Sequence, residues 1–186
     1  AGIVINGRLF HGNPLGAGEI GHVVVAENGE RCQCGNTGCL ETVANARAIV
    51  RRARALARTH PQSILNQLVP HPNAMTFETV CEALAEGDET AQQVVREVGQ
   101  HLGAAAANLV SVLGGCRILL AGRITCFGQF LLDVVRETLS RRALTSLVKS
   151  SEVDFVSMSA DIILLGAAAL LLHEELGLFP FGGETQ

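Results

Sequence analysis

The sequence predicts an α/β domain, because short runs of β-forming residues alternate with longer helical patterns along the chain. Two further observations support this class. The chain has 186 residues, of which 48% are hydrophobic and 17% are charged, so it is long and apolar enough for one sizeable core and is not intrinsically disordered. Aromatic residues make up 4%, without Trp or Tyr, so Ala, Val, Leu and Ile must form that core.

The first predicted element is a β-hairpin. The dipeptide Asn6-Gly7 separates the β-type runs 3–5 and 8–10, and this dipeptide is typical of the tight turn between two antiparallel strands. A glycine-rich loop follows the hairpin, and a third β-type run covers residues 23–25.

Helical patterns dominate after the cysteine-rich segment that follows. Val43, Ala46 and Val50 recur at helical spacing and form an apolar face. Gly99 and Gly103 lie four residues apart in a later predicted helix, which favours a close helix–helix contact rather than a break. The remaining predicted elements are helices over 76–84, with Thr76 as the N-cap, 89–112, 130–139 and 166–176, strands over 118–122 and 153–156, and a tail over 179–186.

The charge balance argues against direct nucleic-acid binding by these residues. There are 14 basic and 18 acidic side chains, which give a net charge of −4, whereas neutralising phosphates requires a basic face. Any DNA contact would then belong to a domain outside this sequence. The most apolar run, 162–172, is about half as long as a bilayer span, and no signal-peptide pattern is present. We therefore expect a soluble, cytoplasmic protein.

Three of the six cysteines form the most specific motif of the sequence. Together with His22, the residues Cys32, Cys34 and Cys39 form a His-x9-Cys-x-Cys-x4-Cys set. Three thiolates and one imidazole are the ligands of a tetrahedral structural zinc ion. Four protein ligands leave no open position for water, so the predicted zinc is structural rather than catalytic. The alternative is a set of reduced thiols without a metal.

The other three cysteines, Cys81, Cys116 and Cys126, are scattered through apolar stretches of the sequence. Clustered thiols in a cytoplasmic chain favour metal binding over disulfide formation. We therefore predict that these three side chains are small buried hydrophobic groups.

Two carboxylates flank the predicted metal ligands. Glu19 precedes His22 by three residues, and Glu41 follows Cys39 by two. If the ligands converge on one ion, both carboxylates come near it, where they can accept charge-assisted hydrogen bonds from sugar hydroxyl groups. The alternative is a pair of solvated surface glutamates.

The segments 18–22 (GEIGH) and 32–41 (CQCGNTGCLE) resemble the signature of the ROK family, which comprises repressors, open reading frames and sugar kinases. The resemblance extends over essentially the whole chain. It implies one lobe of an actin-like ATPase, ribonuclease-H-like α/β fold, with a mixed sheet and flanking helices, that binds a sugar between two lobes, and a zinc knuckle over residues 22–41. By this resemblance the zinc ligands are His22, Cys32, Cys34 and Cys39, and the side chains that face the sugar are Glu19, His22 and Glu41.

The sequence departs from the family's kinases in two ways. Their catalytic Asp and glycine-rich phosphate turn lie upstream of the region that resembles this chain, so no residue here is predicted to be catalytic. Their triple-glycine turn, where the backbone approaches the nucleotide, is replaced by Ala121-Gly122-Arg123-Ile124-Thr125. That turn resembles the family's repressors, which carry a winged helix-turn-helix before this region. A divergent kinase in which Arg123 merely caps a loop is the alternative.

Residues 1–186 are therefore predicted to be the C-terminal sugar-sensing and oligomerisation region of a ROK-family transcriptional repressor of carbohydrate metabolism, without its upstream lobe and DNA-binding domain. The expected ligands are structural Zn²⁺ and a sugar or sugar phosphate, and the expected partner is a second copy of the protein. The rival hypothesis is a fragment of an ATP-dependent sugar kinase, glucokinase-like or N-acetylhexosamine-kinase-like, that uses ATP and Mg²⁺. A third hypothesis is a module that docks onto a membrane-transporter component.

Overall fold

The computed structural model describes residues 1–13, 16–156 and 162–176. The chain divides into two units, one formed by Ala1–Ile20 with Ser157–Gln186 and the other by Gly21–Val156. The predicted tail over 179–186 lies outside the described residues.

The first unit begins with the predicted hairpin. Strands β1 (Val4–Ile5) and β2 (Arg8–Leu9) pair antiparallel. Asn6 and Gly7 both have positive φ, +50° and +73°, as the tight turn between two twisted strands requires. The hairpin prediction is confirmed.

In the second unit, the helical segment after the cysteines is divided in two. Helix α1 (Leu40–Ala44) ends where Asn45 adopts an extended conformation, and α2 (Ala46–Thr59) begins there. The Asn45 side chain caps α2 by accepting a hydrogen bond from the Ala48 N–H at 2.7 Å. Helix α2 buries Ile49, Ala53 and Leu56 against the core.

Two short helices follow before the longest one. They are α3 (Ile64–Gln67) and α4 (Phe77–Ala85). The Thr76 hydroxyl accepts from the Thr79 N–H at 3.3 Å, and the Thr79 hydroxyl accepts from the Thr76 N–H at 3.1 Å. Thr76 is therefore the predicted N-cap of α4, and Thr79 completes a reciprocal capping box without the usual glutamate.

The centre of the unit is the contact between α5 (Glu89–Leu113) and α6 (Gly128–Arg142). A Cβ atom on Gly99 would lie 2.7 Å from Val134 Cγ1, and one on Gly103 would lie 2.5 Å from Thr138 Cβ. The two glycines therefore let the helices approach closely, as their spacing predicted.

A parallel strand pair lies beside α6. Strands β3 (Arg117–Leu120) and β4 (Glu152–Phe155) pair in register, and α6 and the short α7 (Thr145–Lys149) connect them. Ile118 and Leu120 pack against the core, whereas Leu119 is exposed. The predicted buried strand is therefore covered on only one face within the described residues.

The structure corrects the prediction for two of the scattered cysteines. Cys81 on α4 and Cys126 form a disulfide with a Cα–Cα distance of 5.9 Å, and only Cys116 of the three is a free thiol. Cys126 belongs to a short 3-10 helix, Arg123–Phe127, whose Phe127 ring contacts Phe77 at 5.1 Å between centroids. This tertiary contact brings together two cysteines that are 45 residues apart, which the sequence does not reveal.

The first unit also contains α8 (Ile162–Leu176), which includes the predicted helix 166–176 and begins four residues earlier. Its leucines Leu164, Leu165 and Leu171 are exposed. Within the described residues, no helix combines the length and apolar character needed to cross a membrane.

Candidate metal centre and neighbouring carboxylates

The structure brings the four predicted metal ligands together. One ligand atom from each of His22, Cys32, Cys34 and Cys39 lies within 4.8 Å of the other three. Cys32 and Cys39 are buried, His22 is half-buried and Cys34 is exposed. Cys39 directly precedes α1 and His22 ends a single 3-10 turn, so adjacent short elements hold the two ends of the group.

Two of the separations between these atoms are close to the edges of a tetrahedral zinc site. Cys34 Sγ and Cys39 Sγ are 3.6 Å apart, and Cys32 Sγ is 3.6 Å from His22 Nδ1. With Zn–S bonds of about 2.3 Å and Zn–N bonds of about 2.0–2.1 Å, a tetrahedron has S–S edges of roughly 3.8 Å and S–N edges of roughly 3.6 Å. The donor set and these two separations therefore suit Zn²⁺, and all four ligand atoms lie within 4.8 Å of one another.

The backbone of the knuckle is bent by short hydrogen-bonded turns. The Cys32 N–H donates to the Asn36 carbonyl at 2.7 Å, and the Gly35 N–H donates back to the Cys32 carbonyl at 3.0 Å. Gly38 has φ +75°, and a Cβ atom there would lie 1.7 Å from the Ala26 carbonyl oxygen. Only glycine fits this position.

The β-type run over 23–25 does not form the predicted strand. Val24 makes a single isolated bridge to Cys39, with hydrogen bonds from the Val25 N–H to the Gly38 carbonyl and from the Leu40 N–H to the Val23 carbonyl. The backbone groups of Val23 and Val25 bond to the residues around Cys39, so they are not available for pairing with another strand.

The thiols of the knuckle differ in their ionisation. A backbone hydrogen bond from Asn36 lowers the pKa of Cys34. Burial, together with the neighbouring thiols of Cys34 and Cys32, raises the pKa of Cys39 to about 12. If all three thiols are deprotonated, the negative charges of the thiolates repel one another unless a cation balances them.

The structure places the two predicted carboxylates in different units. Glu41 is exposed in the first turn of α1, and a Cβ atom on Gly21 would lie 3.8 Å from its Oε2 atom. Glu41 therefore lies beside the residue that precedes His22. Glu19 is exposed and belongs to the first unit.

The turn after β3 is occupied by a side chain with two partners. Gly122 has φ +88°, and the next residue, Arg123, forms an ion pair with Glu78 of α4. The Arg123 guanidinium also lies 4.8 Å from the centroid of the Phe77 ring. The sequence indicated Arg123 as a departure from glycine but gave no signal for these partners, which come from a helix more than forty residues earlier.

The sequence also did not indicate a cavity of about 550 Å³ beside the knuckle. It lies between the loop at Glu30, helix α2 and helix α5, and two ion pairs, Arg51–Glu30 at 2.8 Å and Arg52–Glu97 at 2.7 Å, line it. The lining comes from segments far apart in the sequence, so no local pattern reveals it.

The second unit and its Cys₃His group define a mixed α/β protein with a candidate metal-binding knuckle. A sequence model of the ROK family matches residues 1–174. The chain belongs to the ROK family.

The chain is similar to both regulators and kinases of this family. It is 38% identical over 175 residues to the DNA-binding transcriptional dual regulator NagC of Escherichia coli, an alignment that covers 91% of this chain and 42% of NagC. The crystal structure of a ROK family glucokinase from Streptomyces griseus, in complex with glucose and AMPPNP, matches with a TM-score of 0.81 and 29% identity, over 91% of this chain and 55% of that one.

A ROK family transcriptional regulator, a homologue of E. coli Mlc, matches equally well. Its TM-score is 0.79 at 30% identity, over 90% of this chain and 41% of that one. These ROK structures have an actin-like ATPase fold, and the mixed α/β arrangement of this chain agrees with it. The chain spans about half the length of the relatives it matches, and its fold is common to both functional classes.

Proposed function

We propose that this chain is the sugar-sensing effector region, with a role in oligomerisation, of a ROK-family transcriptional repressor of carbohydrate metabolism. The observation that carries the proposal is the turn after β3. Family kinases have glycines there, whereas Arg123 is held over the turn by Glu78 and Phe77. A side chain in this place opposes the close backbone approach that a nucleotide needs. The similarity to NagC supports the same conclusion.

The knuckle would bind one structural zinc ion through His22, Cys32, Cys34 and Cys39. The ion would supply a tetrahedral cross-link between the turn at His22 and the start of α1. The main chain already brings the two ends of the site together, because the Cys39 thiol donates a hydrogen bond to the main-chain carbonyl of His22 at 3.5 Å, and zinc binding would replace this bond with ligation by the thiolate.

The sugar or sugar phosphate would contact Glu19, His22 and Glu41. Ionised carboxylates accept hydrogen bonds from sugar hydroxyls, and Glu41 is exposed next to the His22 segment, where a ligand can reach it. A sugar that binds one arrangement of the two lobes better than another would shift the protein toward that arrangement and thereby change DNA binding by a domain outside this chain. Contacts with a second copy, docking to a transporter component and a cytoplasmic location remain predictions.

The second candidate is part of an ATP-dependent sugar kinase. It is favoured by the S. griseus glucokinase, whose structure contains glucose and AMPPNP and fits this chain as well as the regulator does. In that case ATP and Mg²⁺ would bind, and the catalytic Asp would lie outside this chain.

Calorimetric titration with ATP and Mg²⁺ separates the two candidates. The segment of the S. griseus glucokinase that aligns with this chain is the matched control. In a buffer that contains saturating inorganic phosphate, so that simple phosphate binding cannot contribute, the repressor proposal expects no saturable heat for this chain under conditions where the glucokinase segment binds. Micromolar ATP binding by this chain would favour the kinase.

A further inference from the structure

We propose that a second cavity in Gly21–Val156 is a binding site for a small phosphate-bearing anion. The cavity has a volume of about 350 Å³ and lies between α2, the start of α4 and the turn after β3. Arg47 and Arg54 of α2 line it, together with residues 76–78 and Arg123. Its size falls within the roughly 300–1,000 Å³ of small-molecule sites.

Arg47 and Arg54 both have donors available for a ligand. Arg47 is exposed and makes no ion pair or hydrogen bond within the described ranges. Arg54 donates through Nη2 to the carbonyls of Asn73 and Met75, at 2.9 and 2.7 Å, so its guanidinium is fixed in place. Its Nε–H is the one buried side-chain polar group that lacks a partner in the described part of the chain. Nε has almost no solvent-accessible surface, so an anion in the cavity would contact Nη1 of Arg54, for which the described residues show no hydrogen bond, and the buried Nε–H would sense its charge.

Arg123 supplies a third guanidinium that can exchange its partner. Its ion pair with Glu78 is solvent-exposed, with 59% of the Arg123 side chain and 69% of the Glu78 side chain accessible. Ion pairs this exposed stabilise weakly, so a more highly charged anion can replace the Glu78 carboxylate. The Phe77 ring beneath the guanidinium keeps it in position during the exchange.

The charges and the donor geometry favour phosphate. Three positive and one negative side chain line the cavity of a protein whose net charge is −4, so the local excess of positive charge is not a general property of its surface. Guanidinium groups bind phosphate oxygens through paired, charge-assisted hydrogen bonds. Three arginines from one helix and a turn suit a tetrahedral group with several oxygens better than a planar carboxylate. The proposal does not depend on zinc, nor on whether the protein is a regulator or a kinase.

The test is a titration of the ¹⁵N-labelled protein with inorganic phosphate, at constant ionic strength, observed at the arginine Nε–Hε resonances. We expect a saturable shift of the Arg54 Nε–Hε signal, because a phosphate bound at the outer guanidinium nitrogens changes the electric field at this buried proton. We also expect Arg47→Gln to weaken the apparent affinity about fivefold, the effect of removing one charge contact near 4 Å in water. Glu78→Gln should strengthen binding, because it removes the competing carboxylate.

Arg58→Gln is the matched control, since Arg58 is an exposed arginine of α2 outside the cavity lining. Its affinity for phosphate should equal that of the wild type. Arg47 and Arg58 are both exposed, so neither change should disturb the fold, and the amide spectrum verifies this. Three results would each overturn the proposal. The Arg54 signal could shift linearly with phosphate concentration, without saturation. Arg58→Gln could lose as much affinity for phosphate as Arg47→Gln, or the protein could bind ATP without any response to phosphate.

Discussion

The knuckle and the helical body of the second unit are held together by different forces. Between residues 23 and 39 the knuckle has only two isolated bridges and a few turn hydrogen bonds, and four potential metal ligands converge at its centre. The helical body is one apolar cluster in which α5 packs against α6 with fully buried side chains such as Leu131 and Val135.

This difference predicts different responses to damage. Apolar packing is spread over many side chains, so one truncation should weaken the whole body by a graded amount. Metal binding depends on each ligand, so one substitution should abolish it and release the knuckle while the helices persist. The predictions below test this contrast, from the largest expected loss of global stability to the smallest.

Leu131→Ala should have the largest effect on the body. Leu131 is fully buried on α6, and Leu→Ala at such a site lowers the free energy of unfolding by about 2–5 kcal/mol. Urea denaturation followed by far-UV circular dichroism measures the loss. Leu144→Ala is the matched control, because Leu144 is 70% exposed, and it should change stability little. Equal losses in the two variants would contradict the proposed packing.

The double variant Cys81→Ala/Cys126→Ala should come next. The disulfide closes a 45-residue loop between α4 and the turn after β3, and removing such a link costs about 2–4 kcal/mol. The same denaturation experiment measures it, with Cys116→Ala as the control for the loss of a thiol without a cross-link. If the double variant is as stable as that control, the disulfide does not stabilise the protein.

Cys34→Ser should act on the knuckle. Removing one of four ligands should lower the zinc content from one per chain to almost none by elemental analysis, and should lower the melting temperature while helical circular dichroism is largely retained. Cys116→Ser, which changes a free thiol outside the knuckle, should keep the metal. A Cys34→Ser protein with unchanged metal content and melting temperature would exclude a structural zinc site.

Local signals in the sequence were sufficient for the hairpin, the N-cap and the close helix pair. Asn6-Gly7, Thr76 and the pair Gly99 and Gly103 each satisfy a requirement of backbone geometry that few other residues meet. The grouping of His22, Cys32, Cys34 and Cys39 was predictable for a similar reason, because the four residues are close in sequence and chemically specific, whereas their binding of zinc stays a prediction.

Features that depend on distant contacts were not predictable. The apolar spacing of Val43, Ala46 and Val50 indicated one helical face, but Asn45 interrupts the helix, and α2 buries Ile49 and its neighbours instead. The disulfide likewise depends on how α4 packs against the 3-10 helix after β3. Such features require knowledge of which elements are neighbours, which spacing along one segment does not contain.

The smallest expected effect is the pH dependence of one ion pair of the body. The Arg52 guanidinium donates to Glu97 through two hydrogen bonds of 2.7 Å and holds the pKa of the Glu97 carboxyl below its usual range, although partial burial acts in the opposite direction. A carboxyl with a lower pKa in the folded state contributes stability above its unfolded pKa, near 4.3, and loses it as the pH falls through the folded value.

We therefore expect the Arg52–Glu97 pair to contribute less than about 1 kcal/mol at pH 7, because both side chains are partly exposed, and to contribute nothing at pH 2. Unfolding free energies measured from pH 7 to pH 2 should fall less steeply below pH 5 in Glu97→Gln than in the wild type. Glu82→Gln, at an exposed glutamate of α4, should follow the wild-type curve. If Glu97→Gln also follows it, the body does not use this pair for stability, and its resistance to unfolding comes from apolar packing and the disulfide.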